Sequence, residues 1–324
     1  CRGDTIGVFQ LESAGMRDLL RRAGVRSIEE LMALIALYRP GPMSVIQDYL
    51  ARKTAKTPPD FAHPLLKPVL EETFGVVVYQ EQAMEIAMRL AGFTAGMADR
   101  FLWAIGRSRG PSEFRTPFTA GCARTHGIPL ETADGIFDML SVASGFTFNK
   151  AHSAAYAFLS YRTAYLKANH PTEFMAALAS SEMGETGKLG TYLSEAVEMG
   201  LKILPPSIND SGESFEPGDN RIRFGLGGIR GIASATARAI IDERTAGGRY
   251  AGLVDFCGRT DHRHVNRAAT GILIRSGCFD SSGIHRARLL NGIDAALRHA
   301  GELRSGLTDL FTDAAMRRHT ALTD

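Results

Sequence analysis

Four polar residues, Asn149, Lys150, His152 and Ser153, stand directly before a run of small and aromatic residues in the middle of the chain. The run has the composition of an amphipathic helix, and Ser153 or His152 stands where its N-cap would be. A helix N-terminus offers unpaired N–H groups and the positive end of the helix dipole, so the lysine and histidine beside it suit an anion such as phosphate. The alternative is a capped helix that carries both side chains on its rim without a function. The residues expected to pack inward are Ala154, Ala155, Tyr156, Phe158, Leu159 and Tyr161.

Two arginines are further candidates for binding an anion. Arg39 follows a helix that Ser27 and Glu30 predict through a capping box, and it lies on a rigid Tyr-Arg-Pro-Gly-Pro turn. A guanidinium held there could bind phosphate or carboxylate, or it could cap the carbonyl groups of the preceding helix. Arg107 lies in a basic loop between two glycines, where a phosphate contact and a solvated turn are both open interpretations.

Periodic apolar residues and helix-stopping glycines and prolines predict a mainly α fold. We expect a multi-helix domain over residues 1–183, a smaller domain with a short strand over 184–288, and a C-terminal helix and tail over 289–324. Predicted strands or extended segments are Ile6–Gln10, Gly75–Tyr79 and Arg221–Gly225. Predicted helices are Leu11–Arg22, Ser27–Leu37, Gln80–Leu90, Ala95–Ile105 capped by Thr94, Ser112–His126, Leu130–Ala143, Pro171–Ser181, Ser234–Glu243 and Ala268–Arg275.

A glycine-rich turn precedes the helix predicted at Ser234, which is the pattern of a helix-hairpin-helix motif. In such a turn the glycines allow close approach and the backbone amides point at a phosphate, so binding is independent of base sequence. A weaker second copy spans Asn266 to Asp280, beside a basic patch formed by Arg259, His262, Arg263, His264 and Arg267; a solvated connecting turn is the alternative. The candidate contacts are Gly228, Arg230, Gly231, Ala233, Arg263 and Arg267.

Composition restricts the class of protein. The chain has 324 residues, 44% hydrophobic and 22% charged, with a formal net charge of +2, so contacts to nucleic acid would need local patches. Its four cysteines show no pairing or metal-ligand spacing, and it has no signal peptide and no apolar run of the roughly 18 residues that span a bilayer. A reducing cytosol without membrane contact is therefore expected. The chain opens without methionine, and we expect it to be part of a longer protein.

Six stretches together resemble the bacterial DNA polymerase III alpha subunit, the C-family replicative polymerase. They are GVFQLES (7–13), ALYRPGP (36–42), GVVVYQEQ (75–82), FNKAHSAAYA (148–157), GLKILPPSIN (200–209) and FGLGGIRGI (224–232). They occur in the order found in the family and cover nearly the whole chain. The resemblance implies the fingers region followed by the helix-hairpin-helix region of that protein.

The resemblance implies template-directed addition of a deoxynucleotide (dNTP) to a primer, with Mg²⁺ held by aspartates of a palm region that precedes these residues in the family. No Asp-x-Asp pair occurs in this sequence, so we expect no polymerisation by this chain alone. Carried over by position, Arg39, Arg107, Lys150 and His152 would contact the triphosphate, and Asn149, His152 and Tyr156 the sugar and base, with Ser153 beside them. Other implied partners are primer–template DNA and replicase subunits in the bacterial cytoplasm.

The sequence departs from the family pattern in three places, one of which is Ala233 at the second small position of the hairpin turn. Leu102 and Trp103 stand where the family usually has two arginines, and loss of two cations facing a triphosphate would weaken the enzyme unless Arg100 and Arg107 compensate. The tail peptide Leu307, Thr308, Asp309, Leu310, Phe311 resembles a sliding-clamp peptide, but a leucine replaces the usual glutamine.

Three hypotheses follow from the sequence. The first is part of a polymerase whose active site is completed by an upstream palm. The second is a stand-alone, non-catalytic DNA-binding module derived from the polymerase, and the third is a helical protein without a role in nucleic-acid binding. The density of motifs argues against the third.

Overall fold

The three-dimensional structure is a computed structural model that describes residues 2–39, 41–54, 59, 61–106 and 111–304. Within these residues the fold is mainly α, as predicted, with fifteen α-helices and one small sheet. None of the described helices combines the length and the apolar character needed to cross a membrane. The helices are α1 Ala14–Ala23, α2 Ile28–Leu37, α3 Met43–Lys53, α4 Lys67–Leu70, α5 Gln80–Ala91, α6 Ala95–Gly106, α7 Pro111–His126, α8 Leu130–Ser144, α9 Lys150–Asn169, α10 Pro171–Ser181, α11 Thr186–Glu198, α12 Ser234–Gly247, α13 Leu253–Arg259, α14 Arg267–Arg275 and α15 Arg286–Arg304.

The three-stranded sheet has the order β1-β3-β2, where β1 is Lys202–Leu204, β2 is Glu216–Gly218 and β3 is Arg221–Arg223. The central strand β3 pairs with β1 in parallel and with β2 in antiparallel orientation, and its Ile222 is fully buried. The predicted strand at Arg221 is thus present, and it is shorter than expected.

Side-chain caps set several helix starts where the sequence places a small polar residue. The hydroxyl of Ser27 accepts a hydrogen bond from Glu30 N–H, and the hydroxyl of Thr94 accepts one from Met97 N–H. Each cap satisfies one of the unpaired N–H groups of a first helical turn. The two predicted caps are confirmed.

The predicted strand Ile6–Gln10 is wrong, because this segment forms consecutive turns. Gly7 and Gln10 have φ values of +76° and +62°, a left-handed conformation that a strand does not accommodate. In the predicted extended segment Gly75–Tyr79, Gly75 lies in a turn with φ +80° and Tyr79 forms an isolated bridge with Phe148, so no regular strand is present.

The packing divides the chain into two units, a first that ends at Tyr165 and a second that begins at Leu166, so the division falls within α9. The sequence-based boundary at residues 183/184 lies further along, after α10. Each unit has its own buried core, and the first unit has two clusters.

We name the two clusters of the first unit by their helices. The α5–α8 cluster contains Phe101, Phe118 and Phe137, whose ring centroids lie 5.8–5.9 Å apart. The α1–α3 cluster joins helices α1–α3 to the extended segment before α5 and to Ala157 of α9. The start of α9 therefore rests on the α1–α3 cluster.

Candidate functional site

Asn149 caps the N-terminus of α9. Its Oδ1 accepts a hydrogen bond from His152 N–H at 2.8 Å, and the helix begins at Lys150. The prediction of Ser153 or His152 as the N-cap is therefore wrong, because asparagine is itself a favoured cap and lies three residues before the N–H group that it binds.

A carboxylate of the chain occupies the positive end of α9. Glu81, in the first turn of α5, accepts the Lys150 N–H with both oxygens, at 3.0 and 2.9 Å, and Asn149 Nδ2–H at 3.0 Å. Backbone hydrogen bonds of Phe148, from Gln80 N–H and to Val78 O, hold the two segments together. The position expected for a bound anion is thus filled by the carboxylate of Glu81. The N–H groups bind this carboxylate as they would bind any anion at a helix N-terminus.

Lys150 forms a half-exposed ion pair. Its Nζ lies 2.6 Å from Oε2 of Glu72 and 5.5 Å from the centre of the Tyr79 ring. Its charge also reaches Glu29, whose pKa is lowered first by a hydrogen bond from Ser27 and only to a smaller extent by Lys150. Lys150 is therefore surrounded by carboxylates in this structure.

His152 is exposed and lies between two aromatic rings. Its ring centre is 4.2 Å from that of Tyr156 and 5.3 Å from that of Phe148. Tyr156 is half-buried and also contacts Phe9, at 5.2 Å. The His152 and Tyr156 rings form an accessible aromatic surface on α9.

Ser153 lies on the other side of the helix. It is fully buried, and its hydroxyl donates a hydrogen bond to the carbonyl oxygen of Met32 at 2.6 Å. The structure therefore separates Ser153 from the exposed His152, and its hydroxyl is engaged in the α1–α3 cluster.

Arg39 joins the start of α9 to the end of α2. Its Nε donates to Ala36 O and its Nη2 donates to Phe146 O, both at 2.7 Å. Its guanidinium lies 4.2 Å from the centre of the Phe148 ring, and partial burial lowers its pKa. The helix-capping role left open by the sequence is present, and the structure also brings Arg39 to the ring that contacts His152.

The glycine-rich turn of the second unit is exposed. Arg230, Gly231 and Ala233 are exposed, and Gly231 has φ +89°. A Cβ at Gly228 would come within 2.9 Å of the Phe215 ring. The turn begins as a three-residue 3₁₀ helix, Leu226–Gly228, and leads into α12. The element before the hairpin is therefore shorter than a regular helix.

Acidic partners neutralise the predicted basic patch. Arg263 binds Asp261, and the hydrogen bond lowers the pKa of Asp261 to about 2. Arg267 makes two hydrogen bonds with Asp294, at 2.6 and 3.0 Å. Arg259 is largely buried in contacts with Glu243, Asp255 and three backbone carbonyls. Arg259 is thus structural, whereas Arg263 and Arg267 are exposed and paired.

Other predicted residues do not join a described site. Arg107 and the tail residues Leu307, Asp309, Leu310 and Phe311 lie outside the described residues. Among the described residues, no group of three or more His, Cys, Asp or Glu side chains is arranged to hold a metal ion.

Two regions of the chain match family profiles. Residues 1–126 match the bacterial DNA polymerase III alpha subunit finger domain, and residues 200–289 match a helix-hairpin-helix motif. The chain belongs to the bacterial DNA polymerase III alpha-subunit family.

Relatives in this family cover almost all of the chain. The DNA polymerase III subunit alpha of Escherichia coli (strain K12) is 43% identical over 325 residues, which cover 96% of this chain and 28% of the relative. That of Thermus aquaticus is 42% identical over 323 residues, which cover 96% of this chain and 26% of the relative. The chain thus spans about a quarter of the length of these DNA polymerase III alpha subunits.

The departure from the polymerase III pattern lies on α6. Leu102 is half-buried against the α5–α8 cluster, whereas Trp103 is 57% exposed. Arg100, one of the two arginines proposed to compensate, is exposed. Both replacements lie on α6, whose buried residues include Ala98, Phe101, Ala104 and Ile105.

Sequence reasoning missed Glu72 and Glu81 as members of the site. The position of Glu81 in the first turn of α5 was a usable signal, because an acidic residue there interacts favourably with the dipole of its own helix. Its actual partner is another helix, 69 residues away in sequence. Spacing alone does not indicate such a pair.

Proposed function

We propose that this chain is the nucleotide-gripping and DNA-binding part of a bacterial replicative DNA polymerase. The observation that carries the proposal is the chain of contacts from Arg39 through the Phe148 ring to His152 and Tyr156 at the start of α9, the helix that begins at Lys150, within a chain of this family. Palm aspartates elsewhere in the longer polypeptide would hold Mg²⁺, which supplies charge neutralisation at the reacting phosphate.

We propose a different role for each of these side chains. The exposed His152 ring and the half-buried Tyr156 ring offer a surface against which a sugar or base can pack. Lys150 is the cation for the triphosphate, and Asn149 caps the helix that begins at Lys150. Arg39 supports the Phe148 ring from behind. Ser153 is buried and donates its hydroxyl to Met32 O, so we assign direct contact with nucleotide to the other residues.

Lys150 has to exchange its partner before it can bind a triphosphate. Its pair with Glu72 is half-exposed on both sides, and pairs of this kind are worth about 0–1 kcal/mol. Each charge-assisted hydrogen bond to a phosphate contributes roughly 1.5–3 kcal/mol. The exchange is therefore favourable when a triphosphate is present, and Glu72 holds Lys150 in its absence.

The second unit would bind the DNA backbone. Its exposed turn, with Arg230, Gly231 and Ala233 before α12, offers backbone amides and one arginine to a phosphate. Arg263 and Arg267 are exposed, so exchange of their aspartate partners for phosphates costs little. Primer–template DNA is the proposed partner, and the sliding clamp is a candidate partner of residues 307–311.

A double substitution, Lys150→Ala with His152→Ala, tests the nucleotide role in the complete polymerase. We expect kcat/KM for the incoming nucleotide to fall by roughly a hundredfold, which corresponds to about 2.7 kcal/mol. Lys67→Ala is the matched control, because Lys67 also forms an exposed pair with a glutamate of the same unit. An unchanged kcat/KM in the double variant would reject the assignment.

The replacements at Leu102 and Trp103 favour a second candidate, a non-catalytic DNA-binding module derived from the polymerase. The two functions differ in the rest of the gene. Paired aspartates in the upstream sequence support a polymerase, and their absence supports the module. In either case, DNA affinity should fall as salt rises, because bound phosphates release counterions.

A further inference from the structure

The exposed side of α9 carries large apolar side chains. Phe158 and Tyr161 are both 56% exposed, Tyr165 is 51% exposed and Leu159 is 44% exposed. All four lie within eight residues, and the sequence predicted that Phe158, Leu159 and Tyr161 pack inward. That prediction is wrong for the described residues. We call these four side chains the α9 face.

The buried side of α9 carries small residues instead. Ser153, Ala157 and Ser160 are each 0% exposed, and the two serine hydroxyls donate to carbonyl oxygens of the core, Met32 O and Phe9 O. A surface helix normally has its large apolar residues inside and polar ones outside, whereas a helix that is apolar all round is normally buried on all sides. The distribution of sizes in α9 is that of a helix covered on both faces.

The charges of α9 favour a protein as the covering partner. The sequence has no Asp or Glu from residue 150 to residue 172. On the exposed side between residues 151 and 165, all of it described, Arg162 is the single arginine or lysine. A DNA groove binds phosphates with several lysines and arginines, whereas protein interfaces are rich in Tyr, Phe and Arg with few other charges. The α9 face has the composition of a protein interface.

We propose that the α9 face packs against another part of its own polypeptide, outside these 324 residues. The relatives are single alpha subunits of which this chain spans 26–28%, so about three quarters of such a chain remains to supply the partner surface. Fully buried aromatic side chains cover about 150–250 Å² each, so the three aromatic side chains of the α9 face, each about half exposed, offer roughly 225–375 Å², and Leu159 adds a smaller area. A patch of this area is comparable to the largest apolar patch on a typical protein surface, which is often functional, and it is about a third to a half of one side of a standard interface.

This inference depends on the family membership and on the packing of α9, and it does not depend on nucleotide binding by Lys150 or His152. Loss of nucleotide use in the Lys150 and His152 variant would leave it unchanged, and its own test involves no nucleotide. The two proposals therefore fail separately.

Hydroxyl-radical footprinting of the complete natural polypeptide, without DNA, tests the inference. The rate for each side chain is divided by its rate in the unfolded protein, which removes intrinsic reactivity. We expect Phe158 and Tyr161 to be protected as strongly as Phe137, which is 1% exposed within the α5–α8 cluster. Leu130 and Val142 of α8, which are 66% and 72% exposed, are the controls and should stay reactive. Rates for Phe158 and Tyr161 equal to those controls would overturn the inference.

The same experiment separates the other possible occupants. Protection that disappears on dilution would indicate a second copy of the chain, and protection that requires added primer–template DNA would indicate nucleic acid. Protection that requires phospholipid vesicles would indicate a membrane surface. Each of these results overturns the proposal, whereas protection that persists at low protein concentration without additives supports it.

A photocrosslink then identifies the partner segment. Phe158 is replaced by p-benzoylphenylalanine in the complete polypeptide, with the same replacement at Leu130 as the control. We expect an intramolecular crosslink from position 158 to a peptide outside residues 1–324, and a much lower yield from position 130. A crosslink to a second molecule, or equal yields at the two positions, contradicts the proposal.

Discussion

Substitution of Glu81 by glutamine isolates the contact that positions the start of α9. A glutamine amide oxygen in the place of Oε1 can still accept the Asn149 Nδ2–H and the Lys150 N–H, both at 3.0 Å, but its Nε2, in the place of Oε2, is a donor and would face the Lys150 N–H, which Oε2 now accepts at 2.9 Å. The variant thus loses one charge-assisted hydrogen bond, worth roughly 1.5–3 kcal/mol. It also loses a negative charge at a helix N-terminus, worth about 0.3–1 kcal/mol. After relaxation of the half-buried side chain we expect a net loss of about 2 kcal/mol.

Thermal unfolding and steady-state kinetics of the complete polymerase measure the two consequences. A loss of about 2 kcal/mol lowers Tm by roughly 4–8 °C for a unit of this size. Because Asn149 and Lys150 are then less well placed, we expect KM for the incoming nucleotide to rise. Glu85→Gln is the matched control, since Glu85 lies one turn further along α5 in an exposed pair with Arg89 and should change stability by less than about 0.5 kcal/mol.

Two results would refute the reasoning. Equal Tm values for the Glu81 and Glu85 variants would show that the contact between α5 and α9 contributes no stability. A lower KM in the Glu81→Gln variant would show that the carboxylate competes with the triphosphate for the helix N-terminus and does not position the site.

Three further outcomes are expected. Gly121→Ala should destabilise the first unit by about 1–3 kcal/mol in denaturant unfolding, because a Cβ there would lie 2.2 Å from a backbone oxygen of α5, whereas Gly135→Ala on α8 meets nothing within 4 Å and should stabilise it by up to about 1 kcal/mol. Asp294→Asn should free Arg267 and tighten DNA binding in an anisotropy titration, while Arg267→Ala should weaken it and reduce the slope of log affinity against log salt by about 1. Burial raises the pKa of the Cys278 thiol to about 11, so at pH 8 it should react with a thiol reagent roughly a hundredfold more slowly in the folded than in the unfolded protein, and equal rates would contradict its burial.

Helix positions were predictable because their signals are local. Ser27 and Thr94 cap the helices that follow them, and α10 begins at Pro171 and ends at Ser181, as the sequence indicates. The failure at Ile6–Gln10 has a local cause too, since an apolar run of this length fits both a strand and a series of turns. The left-handed conformation of Gln10 is not indicated by its residue type.

The polar partners of the site could not be predicted from spacing. Lys150 and Glu72, and likewise Lys150 and Glu81, meet only because the chain between them folds back on itself. The composition of the start of α9 predicted a binding site for an anion, but not that a carboxylate of the same chain fills it. The outward direction of Phe158 was equally hidden, because a helix that is apolar on every side has no preferred inward face.

The backbone hydrogen bonds that join Val78 and Gln80 to Phe148 have an evolutionary consequence. They bring together the two ends of the segment that contains helices α5–α8, and the side chains of these helices form most of the α5–α8 cluster. Leu102 and Trp103 lie on α6, between these two ends, so substitutions there are expected to leave the hydrogen-bonded base in place. A lineage could lose two arginines there, or regain them, without moving the residues at the start of α9.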